Sequence, residues 1–222
     1  MATPYFRYLP NFEYVNRLKE NKNISTYIQV KNLFKRGKLR EDIFQDLTYF
    51  TKYKVVGDMR PDNVAYEFYG DQYYDWVVLL SNNIINFQDE WPLSQASFNN
   101  YLYSKYITDA NLNAVRYYET EEVRDSQKRI IVPAGLEVPS DYSVTYYDSA
   151  LGRSVTSSKV KAVTNYQHEI KLDDDKRNIY LLKSRYLNIV ENDIQGELLY
   201  KKGSTQYLTP YNARGENIRL FS

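Results

Sequence analysis

Apolar positions recur with the clearest period between residues 53 and 83 of this chain. Tyr53, Val55 and Val56 end a β-forming tract over 47–56, and Gly57-Asp58 breaks it. Pro61 suits a first helical position, where its missing N–H costs nothing. Val64, Ala65 and Phe68 then make an apolar face at helical spacing, which Gly70 stops as a left-handed residue would. Asp71 can cap a second helix, in which Tyr73, Trp76, Val77 and Leu80 fall at i, i+3, i+4 and i+7. Asn82-Asn83 ends it. The pattern predicts strand, short helix, tight corner, second helix.

The flanks are less regular. Residues 1–24 are dense in aromatic and aliphatic side chains without a sustained period, which predicts an extended arm. Such an arm docks either on the rest of the chain or on a neighbouring subunit. Gly37 separates two short segments within 25–46. After an irregular stretch over 84–92, Ser94 caps a predicted helix over 95–106. Trp91, beside Pro92, either folds back onto the first two helices or anchors an interface. The polar stretch 108–127 predicts a boundary, followed by strand-like pieces at 129–132, 143–147 and 160–163. Residues 169–172 and 179–182 read as a hairpin about a turn at 173–177, so 108–182 is predicted to be a linker and a small antiparallel β module. Ser184 caps a last amphipathic helix within 183–202, along which Leu187, Val190, Ile194 and Leu198 form a stripe. Gly196 within it costs helix stability or admits a close partner. Residues 203–222 predict a second extended arm. The fold class is α+β.

Composition narrows the chemistry. Basic and acidic residues number 29 and 28, for a net charge of +1, so no global field draws nucleic acid or an anionic membrane. The basic run at 35–40 is answered by Glu41-Asp42 and reads as solvated. There is no cysteine, and His168 is the single histidine, so thiolate and multi-histidine metal sites are excluded. Asp173-Asp174-Asp175 lacks the ligand spacing of a calcium loop and reads as a solvated turn. No phosphate loop, dinucleotide fingerprint, nucleophile elbow or zincin motif occurs, so neither catalysis nor a cofactor is expected. No apolar run reaches the roughly 18 residues of a membrane span, and a cytoplasmic origin is expected. The 24 tyrosines stand out. Tyr suits surfaces that stay wet until a partner covers them, although AT-rich coding also raises its share.

Two resemblances follow from these residues. Gly57-Asp58, Ala65, Phe68-Tyr69-Gly70-Asp71, Trp76 and Asn82 or Asn83 make the central unit similar to a lysin-motif (LysM) domain. It departs in its first loop, Met59-Arg60-Pro61, and in having no closing strand after Asn83. The wider pattern resembles the wedge-joining baseplate proteins of T-even-type contractile-tailed phages. Its carriers are the aromatic N-terminal segment, the strand at 49–56, Arg60-Pro61, Tyr69-Gly70, the run from Trp76 to Leu80, Trp91 with Ser94, and a strand at 179–183 feeding the last helix. The resemblance covers 27–106 and 178–201, is weak over 108–177 and is absent beyond 203.

That resemblance implies a structural virion component, assembled in the host bacterial cytoplasm, that joins neighbouring baseplate wedges during tail assembly. Implied partners are other wedge and sheath-initiating subunits, with copies in neighbouring wedges bridged in a symmetric ring, and neither nucleic acid nor membrane. Candidate partner-binding residues are Tyr5, Phe6, Tyr8, Phe12, Trp91, Tyr207, Tyr211 and Phe221. Ordering an arm costs about 1–2 kcal/mol per residue, which roughly 40–80 Å² of apolar burial offsets. Aromatic density at 5–14 meets that figure. The alternative is a LysM-type module that binds peptidoglycan or chitin-like glycans. By position its groove would comprise Asp58, Met59, Arg60, Pro61, Asn82, Asn83, Ile84 and Ile85.

Overall fold

Helices and strands alternate irregularly in the computed structural model, which describes residues 3–15, 26–203 and 206–215. In chain order the first elements are α1 (Tyr5–Tyr8), β1 (Asn11–Val15), β2 (Tyr27–Lys31), α2 (Glu41–Gln45), β3 (Phe50–Lys54), α3 (Pro61–Tyr69), α4 (Asp75–Ser81) and α5 (Phe87–Glu90). Next come α6 (Gln95–Tyr106), α7 (Asp109–Asn113), β4 (Val115–Thr120), β5 (Val123–Arg124), β6 (Ile130–Val132), β7 (Glu137–Val138), β8 (Val144–Asp148), β9 (Arg153–Ser157), β10 (Val160–Thr164) and α8 (Asn165–Arg177). The chain continues with β11 (Asn178–Leu182), α9 (Leu187–Leu198), β12 (Tyr207–Thr209) and β13 (Asn212–Arg214). The content is mixed α+β with small sheets. The chain divides into two units, Met1–Trp91 with Asn178–Ser222, and Pro92–Arg177.

In the first unit the strand–helix–helix pattern holds. Pro61 opens α3 at its first turn, and Gly70, at φ 79°, closes it with its N–H on the Tyr66 carbonyl. Asp71 caps a 3-10 turn at Gln72–Tyr74 by accepting from the Tyr73 N–H, and α4 follows. The strand is shorter than predicted because residues 47–49 form a 3-10 turn, with Asp46 accepting from the Thr48 N–H. No strand directly follows Asn83. The partner of β3 is β11, antiparallel, with Tyr53 opposite Ile179 and Thr51 opposite Leu181.

Alternation along β11 divides the unit's interior. Ile179 and Leu181 join Val55, Val64, Ala65, Val78 and Trp91 in one cluster. Leu182 joins Trp76, Val77 and Leu80 of α4, Ile43 of α2, and Leu187, Val190, Ile194 and Leu198 of α9 in the other. The predicted stripe of α9 is therefore core. Ser184 does not cap it: a 3-10 turn at Ser184–Tyr186 precedes α9, without a side-chain cap bond. At buried Gly37 an added Cβ would stand 2.7 Å from Ile194 Cδ1, so the absence of a side chain lets that segment lie on α9.

The two predicted arms are not free extensions where the structure describes them. Leu9 is 2 % exposed and packs in the α4–α9 cluster. β1 lies between β2, antiparallel, and β13, parallel, in a four-stranded sheet of order β12-β13-β1-β2. The N- and C-terminal segments thus share one sheet.

The second unit corrects the predicted boundaries. Residues 108–127 are not a linker: they hold α7, β4 and β5. β4 is the middle strand of a sheet ordered β10-β4-β7, beside two-stranded β5–β6 and β8–β9 pairs. The predicted hairpin at 169–182 is instead α8 followed by β11, which belongs to the first unit. Thr164 and Gln167 exchange bonds across the start of α8, the Thr164 N–H to Gln167 Oε1 and the Gln167 N–H to Thr164 Oγ1, which is a capping box. The aspartates at 173–175 lie on this helix. Asp173 is buried and pairs with Arg177 at 2.9 Å while accepting from the Leu93 N–H.

Candidate interaction surface

α1 carries Tyr5 and Tyr8 against the ring of Trp76, with centroids 6.0 and 5.9 Å apart. The Tyr5 hydroxyl accepts from the Gly37 N–H, and the Tyr8 hydroxyl donates to Glu191 of α9. Burial, then the bond to Glu191, pushes the Tyr8 phenol up to about 12. These two rings are thereby fixed by their tips as well as their faces. Phe6, between them, points away and is 64 % exposed.

Beside α1 lies a cleft of about 410 Å³ lined by Tyr5, Phe6, Trp76, Leu79, Ile84 and Ile85, among others. The structure so brings residues of the N-terminal segment together with the loop that follows α4. Exposed Leu33 and the cations Lys35 and Arg36 also line it. Both cations are engaged: Lys35 donates to the carbonyls of Leu198 and Leu199, and Arg36 to Asn83 Oδ1. No local pattern marks Leu33, Lys35 and Arg36 for this surface, since only the fold brings them beside Phe6.

A second cleft, of about 420 Å³, has Tyr8, Gly196 and Tyr211 among its walls. Nothing stands within 4 Å of where a Gly196 Cβ would lie, so this glycine fronts open space. Tyr211 is 66 % exposed, Tyr207 is half-buried, and Phe12 is half-buried on β1. Glu13 ties the C-terminal strands down by accepting from Asn212 and Arg214, both at 2.8 Å, and bonds to Arg214 and Asn212 hold its carboxyl below the usual range. Phe221 lies outside the described residues. Trp91 is 3 % exposed; its ring sits in the β11 cluster, and its indole N–H donates to the Met59 carbonyl at 3.0 Å.

The predicted groove residues take varied places. Asp58 and Arg60 are exposed, Met59 is half-buried against the β11 cluster, and Pro61 is buried. Asn82 closes the unit: its Nδ2 donates to the Val78 and Tyr180 carbonyls, and its Oδ1 accepts from the Tyr180 N–H at 2.8 Å. Asn83 adopts φ 52°, a left-handed conformation that asparagine tolerates. Ile84 is half-buried and Ile85 is 71 % exposed.

In the second unit, Glu169 is 3 % exposed and gathers Lys105, Tyr106 and Tyr101. Burial pushes its carboxyl up, but bonds from Lys105 and Tyr106 outweigh it and hold the group below its ordinary value. The arrangement is a satisfied buried carboxylate. His168 packs edge-on to Tyr117 at 5.7 Å. Among the described residues no group of three or more ligating side chains could hold a metal, and no helix is long and apolar enough to cross a membrane.

The surface is therefore one of fixed aromatic and aliphatic side chains rather than of converging reactive groups. A comparison with curated proteins found no match. A family model described as "Base plate wedge protein 53" matches residues 5–134, more than half of the chain, beginning at the first residue of α1 and taking in α3, α4 and the loop that carries Ile84 and Ile85. The chain belongs to that family of phage baseplate wedge proteins.

Proposed function

We propose that this baseplate protein joins neighbouring wedges through protein–protein contacts during tail assembly in the host bacterial cytoplasm. On this reading it meets other wedge and sheath-initiating subunits, and copies in adjacent wedges are bridged around a symmetric ring. The observation that carries it is the pair of aromatics held outward by a fixed base. Phe6 is 64 % exposed between two anchored tyrosines, and Tyr211 is 66 % exposed beside β13. Large exposed aromatics on an ordered support lose little side-chain freedom when a partner covers them.

Deleting the N-terminal segment would not test this, because Leu9 and β1 belong to the fold. The test uses Phe6→Ala and Tyr211→Ala in the full chain, each removing an exposed ring. Both variants are expected to melt like the parent protein yet to leave wedges unjoined in an assembly assay followed by electron microscopy. Normal ring formation by the double variant would sink the reading.

A LysM-like core with glycan binding remains the second reading, favoured by one observation: β3, α3, α4 and β11 occur in the order of a LysM unit, with β11 antiparallel to β3. Groove groups that would meet a sugar have internal partners, however. Trp91 holds the Met59 carbonyl and Tyr180 holds the Asn82 amide. We read the unit as a LysM-like scaffold that binds protein. Titration calorimetry with chitin oligomers and peptidoglycan fragments is expected to show no heat of binding. Saturable binding abolished by changes at Asp58 or Ile85 would reverse the preference.

A further inference from the structure

The sheet that unites the two termini ends in a strand edge that nothing described in the chain covers. β2 is the terminal strand in the order β12-β13-β1-β2. Its register against β1 pairs Asn11 with Lys31, Phe12 with Val30, Glu13 with Gln29, Tyr14 with Ile28 and Val15 with Tyr27. Beyond that ladder, the Asn32 N–H donates to the Pro10 carbonyl at 2.9 Å. Antiparallel pairs alternate between bonded and non-bonded, so Val30 and Ile28 direct their main-chain groups to β1. Tyr27, Gln29 and Lys31 direct theirs outward. The other side of β1 agrees with this phase: the Asn11 N–H donates to the Tyr211 carbonyl, and the Glu13 carbonyl accepts from the Gly215 N–H.

Natural edges are guarded by charge, proline, a bulge or a covering element. β2 has no proline and an unbroken register. Its one charge, Lys31, turns its ammonium to the Leu9 carbonyl at 2.7 Å. On one face Ile28 and Val30 are 41 % and 44 % exposed, and neighbouring Tyr14 is 50 % exposed.

We propose that the β2 edge receives an extended segment of a different baseplate subunit, which adds to the sheet as a fifth strand beside Tyr27–Lys31. Outward N–H and C=O groups recognise main chain, and the Ile28–Val30 face selects alternating apolar side chains on the incoming strand. A second copy of this chain fits less well. Pairing β2 to β2 would close a two-fold dimer and leave no edge to extend. The opposite edge, β12, has three residues and a shifted register, too short a ladder for the five of β2. The inference deepens the interface reading above, and it rests on the chain's place among baseplate proteins.

The test uses Gln29→Pro and Gln29→Ala in the full chain, supplied to a phage that lacks the gene. Because the Gln29 N–H points outward, proline there removes an edge donor but no bond within the sheet. Gln29→Pro is expected to keep the parental melting curve and to be lost from purified baseplates, whereas Gln29→Ala assembles normally. Normal incorporation of Gln29→Pro overturns the proposal, as does failure of Gln29→Ala, which would mean side-chain recognition. Should Gln29→Pro not fold, a photo-crosslinking amino acid at position 29 decides the matter in assembled baseplates. A cross-link to one extended segment of another subunit supports strand addition. No cross-link, or one to a second copy of this chain, overturns it. If Gln29→Pro assembles while the Phe6 and Tyr211 variants do not, the wedge-joining reading stands without this edge.

Discussion

Asp148 and Asn82 show what a single polar side chain does inside a chain rich in tyrosine. Asp148 is 2 % exposed, and Ser126 donates to it twice, through Oγ at 2.6 Å and its main-chain N–H at 3.0 Å. The N–H groups of Ala150 and Leu151 add two more bonds. Ser126 leads in lowering the carboxyl from 3.8 to about 2, against a burial cost that raises it. A group depressed in the folded state stabilises fully above its unfolded value and loses that contribution as pH falls through the folded one. Urea midpoints of the parent protein should therefore decline between about pH 4 and about pH 2 partly through this group. Asp148→Asn should be less stable at neutral pH and should show a shallower decline in that window. Equal slopes for the two proteins would mean that Asp148 does not govern it. Asn82 was legible as a helix-ending residue, but not its second role. Its partner Tyr180 stands 98 positions away, and no local pattern announces a bond across that distance.

Among the elements, those with strong local punctuation were legible and those set by distant pairing were not. α3 begins at a proline and ends at a glycine, and both ends fell where the residues indicated. β11 and β3 were each legible as strands, yet their pairing was not, because an antiparallel register needs no local signal. α8 lies where the sequence predicts part of a hairpin. The run from Glu169 to Leu172 alternates in polarity, which a strand also does, and Asp173-Asp174-Asp175 resembles a turn. Two features outweigh that pattern: the Thr164–Gln167 capping box and the Arg177–Asp173 pair one turn apart. A lost cap of this kind costs about 0.5–2 kcal/mol. Thr164→Ala should accordingly lower the stability of the Pro92–Arg177 unit by that amount in denaturant titrations, with Thr164→Ser close to the parent. No difference between the alanine and serine variants would show that the hydroxyl does not hold the start of α8.

At the scale of the whole chain, the order of the elements and their grouping differ. The first unit is written in two pieces, separated by the second. The buried residues of its two clusters fall between Leu9 and Trp91 and between Ile179 and Leu198. The sequence concealed this because 169–182 reads as one hairpin, when the chain changes units between Arg177 and Asn178. Aromatic density does not by itself tell which rings of the candidate surface face outward: Phe6 does, whereas Trp91 takes the first of its two expected places, folded into the core. Exposure depends on which face of α1 meets Trp76 and on whether the Trp91 ring, just after α5, folds back over Met59. If the clusters suffice for folding, residues 92–177 can be replaced by a flexible Gly/Ser linker. About 12 such residues span roughly 17–21 Å on average, at about 5–6 Å per square root of length. Ring closure over so short a linker costs little more entropy than over a natural loop. The shortened protein should unfold in one cooperative transition, retain the near-ultraviolet signal of buried Trp76 and Trp91, and display the Phe6 and Tyr211 surface unchanged. A broad, non-cooperative transition would mean that the inserted unit is needed to hold β11 against β3. If the shortened chain folds and still joins wedges, the contacts lie wholly in the first unit; if it folds and does not, 92–177 carries a contact of its own.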